Sequence, residues 1–85
     1  MYIITEKADH SNGYIAIFRN KIDNSYSFIN LEKNTISPCK FRSEGAALND
    51  LKNYISNGKL LKYVIVDERT MYKQLAFINR GRYER

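Results

Sequence analysis

The amino-acid sequence predicts a single α+β domain in which a small antiparallel sheet has one face covered by one or two helices. Three observations lead to this prediction: short β-forming segments fill the first half, an apolar stripe at helical spacing follows, and the element order is β-β-β-(β)-α-β-α. The 85 residues contain no Pro-rich or Gly/Ser-rich linker, so residues 1–85 are expected to form one domain. Residues 80–85 are predicted to be a flexible basic tail.

The first half of the sequence contains the predicted strands. Segments rich in Tyr, Ile, Phe and Thr occupy residues 2–6, 14–19, 26–31 and 35–37, and clusters of turn-forming residues separate them. Between the first two, Asn12-Gly13 suits the positive φ angles of a tight turn, so we expect a hairpin. Pro38 cannot donate a ladder hydrogen bond, which predicts that the fourth segment is an edge strand or ends there. An exposed edge at this point would allow two copies to pair as a homodimer.

A helix is predicted over residues 43–57. Ser43 can cap its first turn, and Glu44 complements the positive end of the helix dipole. Apolar residues recur at steps of three and four, forming one stripe of Ala47, Leu48, Leu51, Tyr54 and Ile55. Gly58 can adopt the left-handed conformation that ends a helix.

The last third of the sequence leaves one element undecided. Residues 60–66 are the most continuously apolar run, which predicts a central strand with both faces covered. Residues 68–79 fit a helix, because Met71, Leu75 and Ile78 align at i, i+4 and i+7 and Gly81 can end it. Residues 72–78 also fit a strand that returns beside Val64 after a turn at residues 67–69. We favour the helix.

The composition argues against several classes of protein. Cys39 and His10 are each the sole residue of their type, so we expect no disulfide, no metal site and no cofactor. No motif for catalysis or for binding phosphate is present, and the chain is not predicted to be an enzyme. The longest apolar run is far below the ~20 residues of a membrane span, and the first residues lack a signal pattern. We therefore expect a cytoplasmic protein with no membrane partner.

Basic residues and tyrosines gather toward the C-terminus. The net charge is +5, of which residues 59–85 carry a surplus of four, with seven Lys/Arg against three Asp/Glu. Arginine and tyrosine are enriched at protein interfaces, and cations with aromatic rings also suit nucleic acids or nucleotides. The residues predicted to contact a partner are Tyr63, Arg69, Tyr72, Lys73, Arg80, Arg82 and Tyr83.

These observations predict a small binding protein without enzymatic activity. Ile, Asn, Lys and Tyr, which AT-rich codons encode, are abundant, and this indicates an AT-rich genome such as that of a low-GC bacterium or its phage. We therefore expect an accessory protein of a phage or mobile element. It would bind and modulate or inhibit a host protein such as a defence-system component. The alternative is a nucleic-acid or nucleotide binding module that uses the C-terminal basic surface.

A third interpretation is a small ribonuclease toxin. The length and charge are similar to those of RelE-family toxins, and Tyr83 resembles their C-terminal catalytic tyrosine. Those toxins place helices before most of their strands, whereas the β segments come first in this sequence.

Overall fold

The computed structural model describes the backbone of residues 1–83 and the side chains of residues 1–78. In chain order the elements are β1 (Tyr2–Lys7), β2 (Asn12–Arg19), β3 (Tyr26–Asn30), β4 (Thr35–Ile36), α1 (Glu44–Ser56), β5 (Leu60–Val66) and α2 (Glu68–Tyr83). The predicted α+β class and the predicted order of elements are confirmed.

The five strands form one antiparallel sheet in the order β4-β3-β2-β1-β5. The first four strands are a meander in which each strand pairs with the next. The chain then crosses one face as α1 and returns as β5, which pairs with the free side of β1. Short β4 therefore lies at one edge, as Pro38 predicted, and β5 lies at the other.

The turn between β1 and β2 lies earlier than predicted. Gly13 belongs to β2, where it faces Thr5 across the ladder, and it does not have a positive φ angle. The chain reverses at residues 8–11, where His10 has a φ of 67° and Asp9 Oδ1 accepts a hydrogen bond from the Ser11 amide at 3.0 Å. An aspartate that bonds the backbone two residues ahead makes this turn without help from glycine. The prediction of a tight turn at Asn12-Gly13 is therefore wrong.

Helix α1 begins and ends where its sequence signals indicate. Ser43 Oγ accepts a hydrogen bond from the Ala46 amide at 3.0 Å, and Gly58 follows the helix with a φ of 76°. Ala47 and Leu51, which lie one turn apart, are buried against the sheet. With Ile3 and Ile17 they form the buried core of the domain.

The two helices lie against opposite faces of the sheet. Successive side chains of a strand point to opposite faces, so Tyr2 and Ile3 mark the two sides of β1. Ile3 packs in the core with α1, whereas the ring of Tyr2 contacts that of Tyr72 in α2. Helix α1 thus covers one face, and α2 packs on β1 from the other side.

Strand β5 is not the central strand that its apolar sequence predicts. Among the described residues its only neighbour in the sheet is β1, and Leu61, Val64 and Ile65 are each between 45% and 52% exposed. A run of β-branched residues indicates a strand, but it does not say how many neighbours that strand has. The edge position follows from topology, because β2 already occupies the other side of β1.

Residues 68–79 form a helix, as favoured from the spacing of their apolar residues. Helix α2 continues past Gly81, where the sequence predicts its end, to Tyr83. Glycine inside a helix costs only about 1 kcal/mol relative to alanine, so it need not stop one. Residues 84–85 of the predicted tail lie outside the described residues, and the flexibility of residues 80–85 stays a prediction.

Candidate binding surface

Helix α2 has one buried face and one exposed face. Asp67 caps its first turn by accepting a hydrogen bond from the Thr70 amide at 2.7 Å, and the hydrogen bonds from Thr70 lower the pKa of the Asp67 carboxyl. Met71 is fully buried, and Leu75 and Ile78 on the same stripe are half-buried. Because this stripe holds α2 against the sheet, the residues on the opposite side of the helix are presented outward.

The outward side of α2 carries two aromatic rings and two cations on neighbouring turns. Tyr72 is 53% exposed and Phe77 is 77% exposed, and Arg69 and Lys73 are exposed beside them. Residues three and four apart in a helix are neighbours on its surface, so Arg69 adjoins Tyr72 and Lys73, and Lys73 adjoins Phe77. The two rings lie at opposite margins of this patch. We call Arg69, Tyr72, Lys73 and Phe77 the α2 surface.

Tyr72 is fixed to the sheet by Tyr2. The two ring centroids are 6.0 Å apart with the planes inclined at 58°, a tilted arrangement that aromatic pairs favour. A side-chain hydrogen bond with Tyr72, together with burial, raises the pKa of Tyr2 to about 12. This contact orients the ring of Tyr72 on the α2 surface.

The structure brings together three of the seven predicted contact residues. Arg69, Tyr72 and Lys73 share the α2 surface. Tyr63 faces Thr5 across the ladder and packs against the core on the side of α1, so it does not join them. The side chains of the other three predicted residues, in the last turns of α2, lie outside the described residues.

Sequence reasoning missed Phe77. The sequence contains a signal that could have identified it. Met71, Leu75 and Ile78 form the apolar stripe of the helix, and with 3.6 residues per turn Phe77 lies well off this stripe. A large aromatic residue off the buried stripe of an amphipathic helix is expected to be exposed, and the structure places it so.

The chemically versatile side chains lie apart from the α2 surface. His10, in the turn between β1 and β2, has its Nδ1 2.9 Å from Oε2 of Glu6, and this contact lowers the pKa of the Glu6 carboxyl. Cys39 is a free, exposed thiol between β4 and α1. Among the described residues, no three His, Cys, Asp or Glu side chains are grouped to hold a metal ion.

An open cleft of about 560 Å³ lies on the other face of the sheet, between α1 and the strands. Its walls are mainly apolar and include Phe28, Ile36 and Leu51, and the cations Lys7 and Lys59 also line it. None of the predicted contact residues whose side chains are described lines this cleft. The cleft and the α2 surface are therefore separate features of opposite faces.

Comparison with family models, with curated proteins and with solved structures found no match to this chain. Among the described residues, no helix is both long enough and apolar enough to cross a bilayer. What the chain can bind must therefore be argued from its own surfaces.

Proposed function

We propose that this chain is a non-enzymatic binding protein that docks on another protein through the α2 surface. The observation that carries the proposal is Phe77, a large aromatic side chain of α2 that is 77% exposed one turn from Lys73. The partner we propose is a host protein such as a defence-system component, bound at one copy per site.

The exposed rings supply the free energy that such an interface needs. Transferring a Phe side chain from water to an apolar contact is worth about 1.5–3 kcal/mol. Tyr, Trp and Arg dominate the few positions that carry most of the energy of protein interfaces, and Tyr72 and Arg69 are residues of this kind. Tyr72 also loses little conformational freedom on binding, because Tyr2 already holds its ring.

The helical spacing of the surface indicates how a partner would receive it. Arg69, Lys73 and Phe77 follow one another at i, i+4 and i+8 along a single side of α2. A partner with a groove that accepts one side of a helix matches this arrangement. A ring of acidic residues at the margin of that groove would pair with Arg69 and Lys73 and speed the encounter.

Nucleic-acid binding is the second candidate, and the pairing of cations with a ring favours it. Arg69 and Lys73 lie one helical turn apart, and Tyr72 lies between them in sequence. Phosphates could contact the two cations while a base stacks on the ring of Tyr72. Binding of this kind releases counterions and weakens steeply as salt rises. A protein partner predicts a weaker dependence on salt.

The deciding experiment is capture from lysate with matched variants. Phe77→Ser removes the exposed ring, and Ile36→Ser removes an exposed apolar side chain of similar accessibility from the far edge of the sheet. We expect one protein that the parent chain and Ile36→Ser retain after nuclease treatment and that Phe77→Ser loses. With this partner purified, Phe77→Ser should weaken binding at least about tenfold, which corresponds to 1.4 kcal/mol.

Two results would contradict the proposal. Retention of the partner by Phe77→Ser would place the interface elsewhere on the chain. Loss of all captured material on nuclease treatment, with binding that falls steeply with salt, would establish the nucleic-acid alternative instead.

A further inference from the structure

Strand β5 forms an edge of the sheet whose regular part, residues 62–66, has little of the usual protection. Exposed edges are normally very short or carry charges, proline or bulges that prevent pairing with another chain. The other edge, β4, has only two residues and is followed by Pro38, whereas β5 has seven residues. Lys62 is the only charged residue of β5, and its Nζ lies 3.7 Å from Oε1 of Glu6 in the same sheet.

The hydrogen-bonding pattern shows which backbone groups of β5 face outward. Met1 and Ile17 exchange both backbone hydrogen bonds, at 2.9 and 3.3 Å. Every second residue after Met1 therefore bonds to β2, whereas Tyr2, Ile4 and Glu6 bond to β5. Through the register of β1 with β5, the residues bonded to β1 are Lys62, Val64 and Val66. The N–H and C=O groups of Tyr63 and Ile65 therefore point away from the sheet.

We propose that β5 pairs in antiparallel fashion with β5 of a second copy, around a twofold axis at Val64. In this register Val64 faces Val64 of the second copy, and Tyr63 of each chain faces Ile65 of the other. Tyr63 and Ile65 exchange their free backbone hydrogen bonds in both directions, giving four hydrogen bonds across the axis. The two sheets join into one of ten strands.

A second copy fits this edge because the edge complements itself. Val64 meets its equivalent on one face and Tyr63 meets Ile65 on the other, and aromatic pairs with β-branched residues stabilise adjacent strands. Lys62 faces Val66, so no like charges are opposed. The twofold contact also covers Val64 and Ile65, which are both about half exposed in the single chain.

The neighbouring register is less favourable. Moving the axis to Tyr63 would require Leu61 to pair with Ile65. The register of β1 with β5 shifts next to Leu61, since Lys7 faces Leu60 while Glu6 faces Lys62. A bulged residue is left out of a regular ladder, so the axis at Val64 uses only the regular part of the strand.

This inference does not rest on the proposed function. The dimer contact uses one edge of the sheet, whereas the proposed partner binds the outward side of α2. Failure of either leaves the other standing, because dimerisation is measured on the purified chain alone.

The first test is the mass of the purified chain by light scattering as a function of concentration. We expect twice the chain mass of 10.0 kDa. Ile65→Lys, which places a charge opposite Tyr63 of the other copy, should return the mass to that of one chain. Ile36→Lys places the same charge on the other edge at a comparably exposed residue and should leave the dimer intact. Circular dichroism checks that both variants are folded.

The second test fixes the register by a crosslink. Facing residues of the non-hydrogen-bonded type have Cα atoms about 4.5 Å apart, which is within the range that a disulfide spans. Val64→Cys in a chain with Cys39→Ser should therefore oxidise to a covalent dimer. Ile36→Cys in the same background should not.

A single-chain mass at every concentration up to the solubility limit would overturn the proposal. So would a dimer that Ile65→Lys leaves intact and Ile36→Lys dissociates, since this would move the contact to β4. A dimer that crosslinks through Tyr63→Cys and not through Val64→Cys would overturn the register.

Discussion

The phenol rings of Tyr2 and Tyr72 lie 6.0 Å apart and are inclined at 58°, joining the first strand of the chain to its last helix. Seventy residues separate them in sequence. Beside this pair, Met71 of the same helix is fully buried. Tyr72 and Met71 thus attach neighbouring positions of α2 to the rest of the domain.

The hydrogen bond between these tyrosines predicts a loss of stability in alkali. The pKa of Tyr2 in the folded chain is about 12, against an ordinary value of 10.0. Between these values the unfolded chain has lost a proton that the folded chain keeps, so the free energy of unfolding falls as pH rises. This contribution is fully present below pH 10 and is lost as pH rises through about 12.

Tyr2→Phe tests this assignment. The variant should be less stable than the parent at pH 8, and the difference between the two should shrink between pH 10 and 12, as measured by urea unfolding. Tyrosinate absorbance should also lose a component that titrates near pH 12. Tyr54→Phe, on α1, is the control. An equal alkaline loss in the parent and in Tyr2→Phe would assign the effect to other groups.

Removing the side chain of Met71 should loosen α2. Truncating a fully buried methionine to alanine costs about 2–5 kcal/mol, and α2 loses a fully buried side chain. Met71→Ala should therefore lower the free energy of unfolding and reduce the hydrogen-exchange protection of α2 more than that of β2. Met71→Leu, which keeps the volume, should cost less than about 1.5 kcal/mol. Equal loss of protection in both elements would show that α2 unfolds only with the whole domain.

Gly13 should resist substitution because of Thr5. A Cβ atom at position 13 would lie 2.6 Å from Oγ1 of buried Thr5, closer than such atoms approach. We expect Gly13→Ala to destabilise the domain by about 1–3 kcal/mol, the usual cost of overpacking.

A double-mutant cycle identifies the cause. In a Thr5→Ala background the crowding oxygen is absent, so Gly13→Ala should cost less than in the parent. If Gly13→Ala costs the same in both backgrounds, contact with Thr5 is not the reason for glycine at this position.

The N-cap of α1 predicts a smaller effect. Ser43→Ala removes the acceptor for the Ala46 amide and should cost about 1 kcal/mol. A loss of this size lowers the melting temperature of a domain of this length by about 4–8 °C. Ser43→Asp keeps an acceptor and should retain most of the stability. Equal melting temperatures for the alanine variant and the parent would show that solvent satisfies the amide as well as the hydroxyl does.

Local signals in the sequence were sufficient for much of the fold. The cap at Ser43, the stripe through Leu51 and the stop at Gly58 define α1, because each depends on neighbours within a few turns. Met71, Leu75 and Ile78 likewise predicted the helix that the structure contains. Three of the four residues of the α2 surface followed from composition, since Arg69, Tyr72 and Lys73 belong to the cationic and aromatic C-terminal third.

The features that sequence reasoning missed depend on contacts between distant segments. Whether residues 60–66 lie at the centre or the edge of the sheet depends on which side of β1 is free, and β2 decides that. Tyr63 was grouped with Tyr72, but the two lie on opposite faces because the chain crosses the sheet between them. The turn before β2 is an exception, because it is formed locally at residues 8–11 by Asp9 and His10.

The sequence by itself therefore determined the number, type and order of the elements, the caps of α1 and the basic, tyrosine-rich character of the C-terminal third. These properties are set by local periodicity and composition, which a linear chain displays directly. Only the tertiary structure decided that β5 is an exposed edge, that the helices cover opposite faces and that the ring of Tyr72 packs against that of Tyr2. Strand pairing and burial join residues far apart in sequence, and no local pattern specifies them.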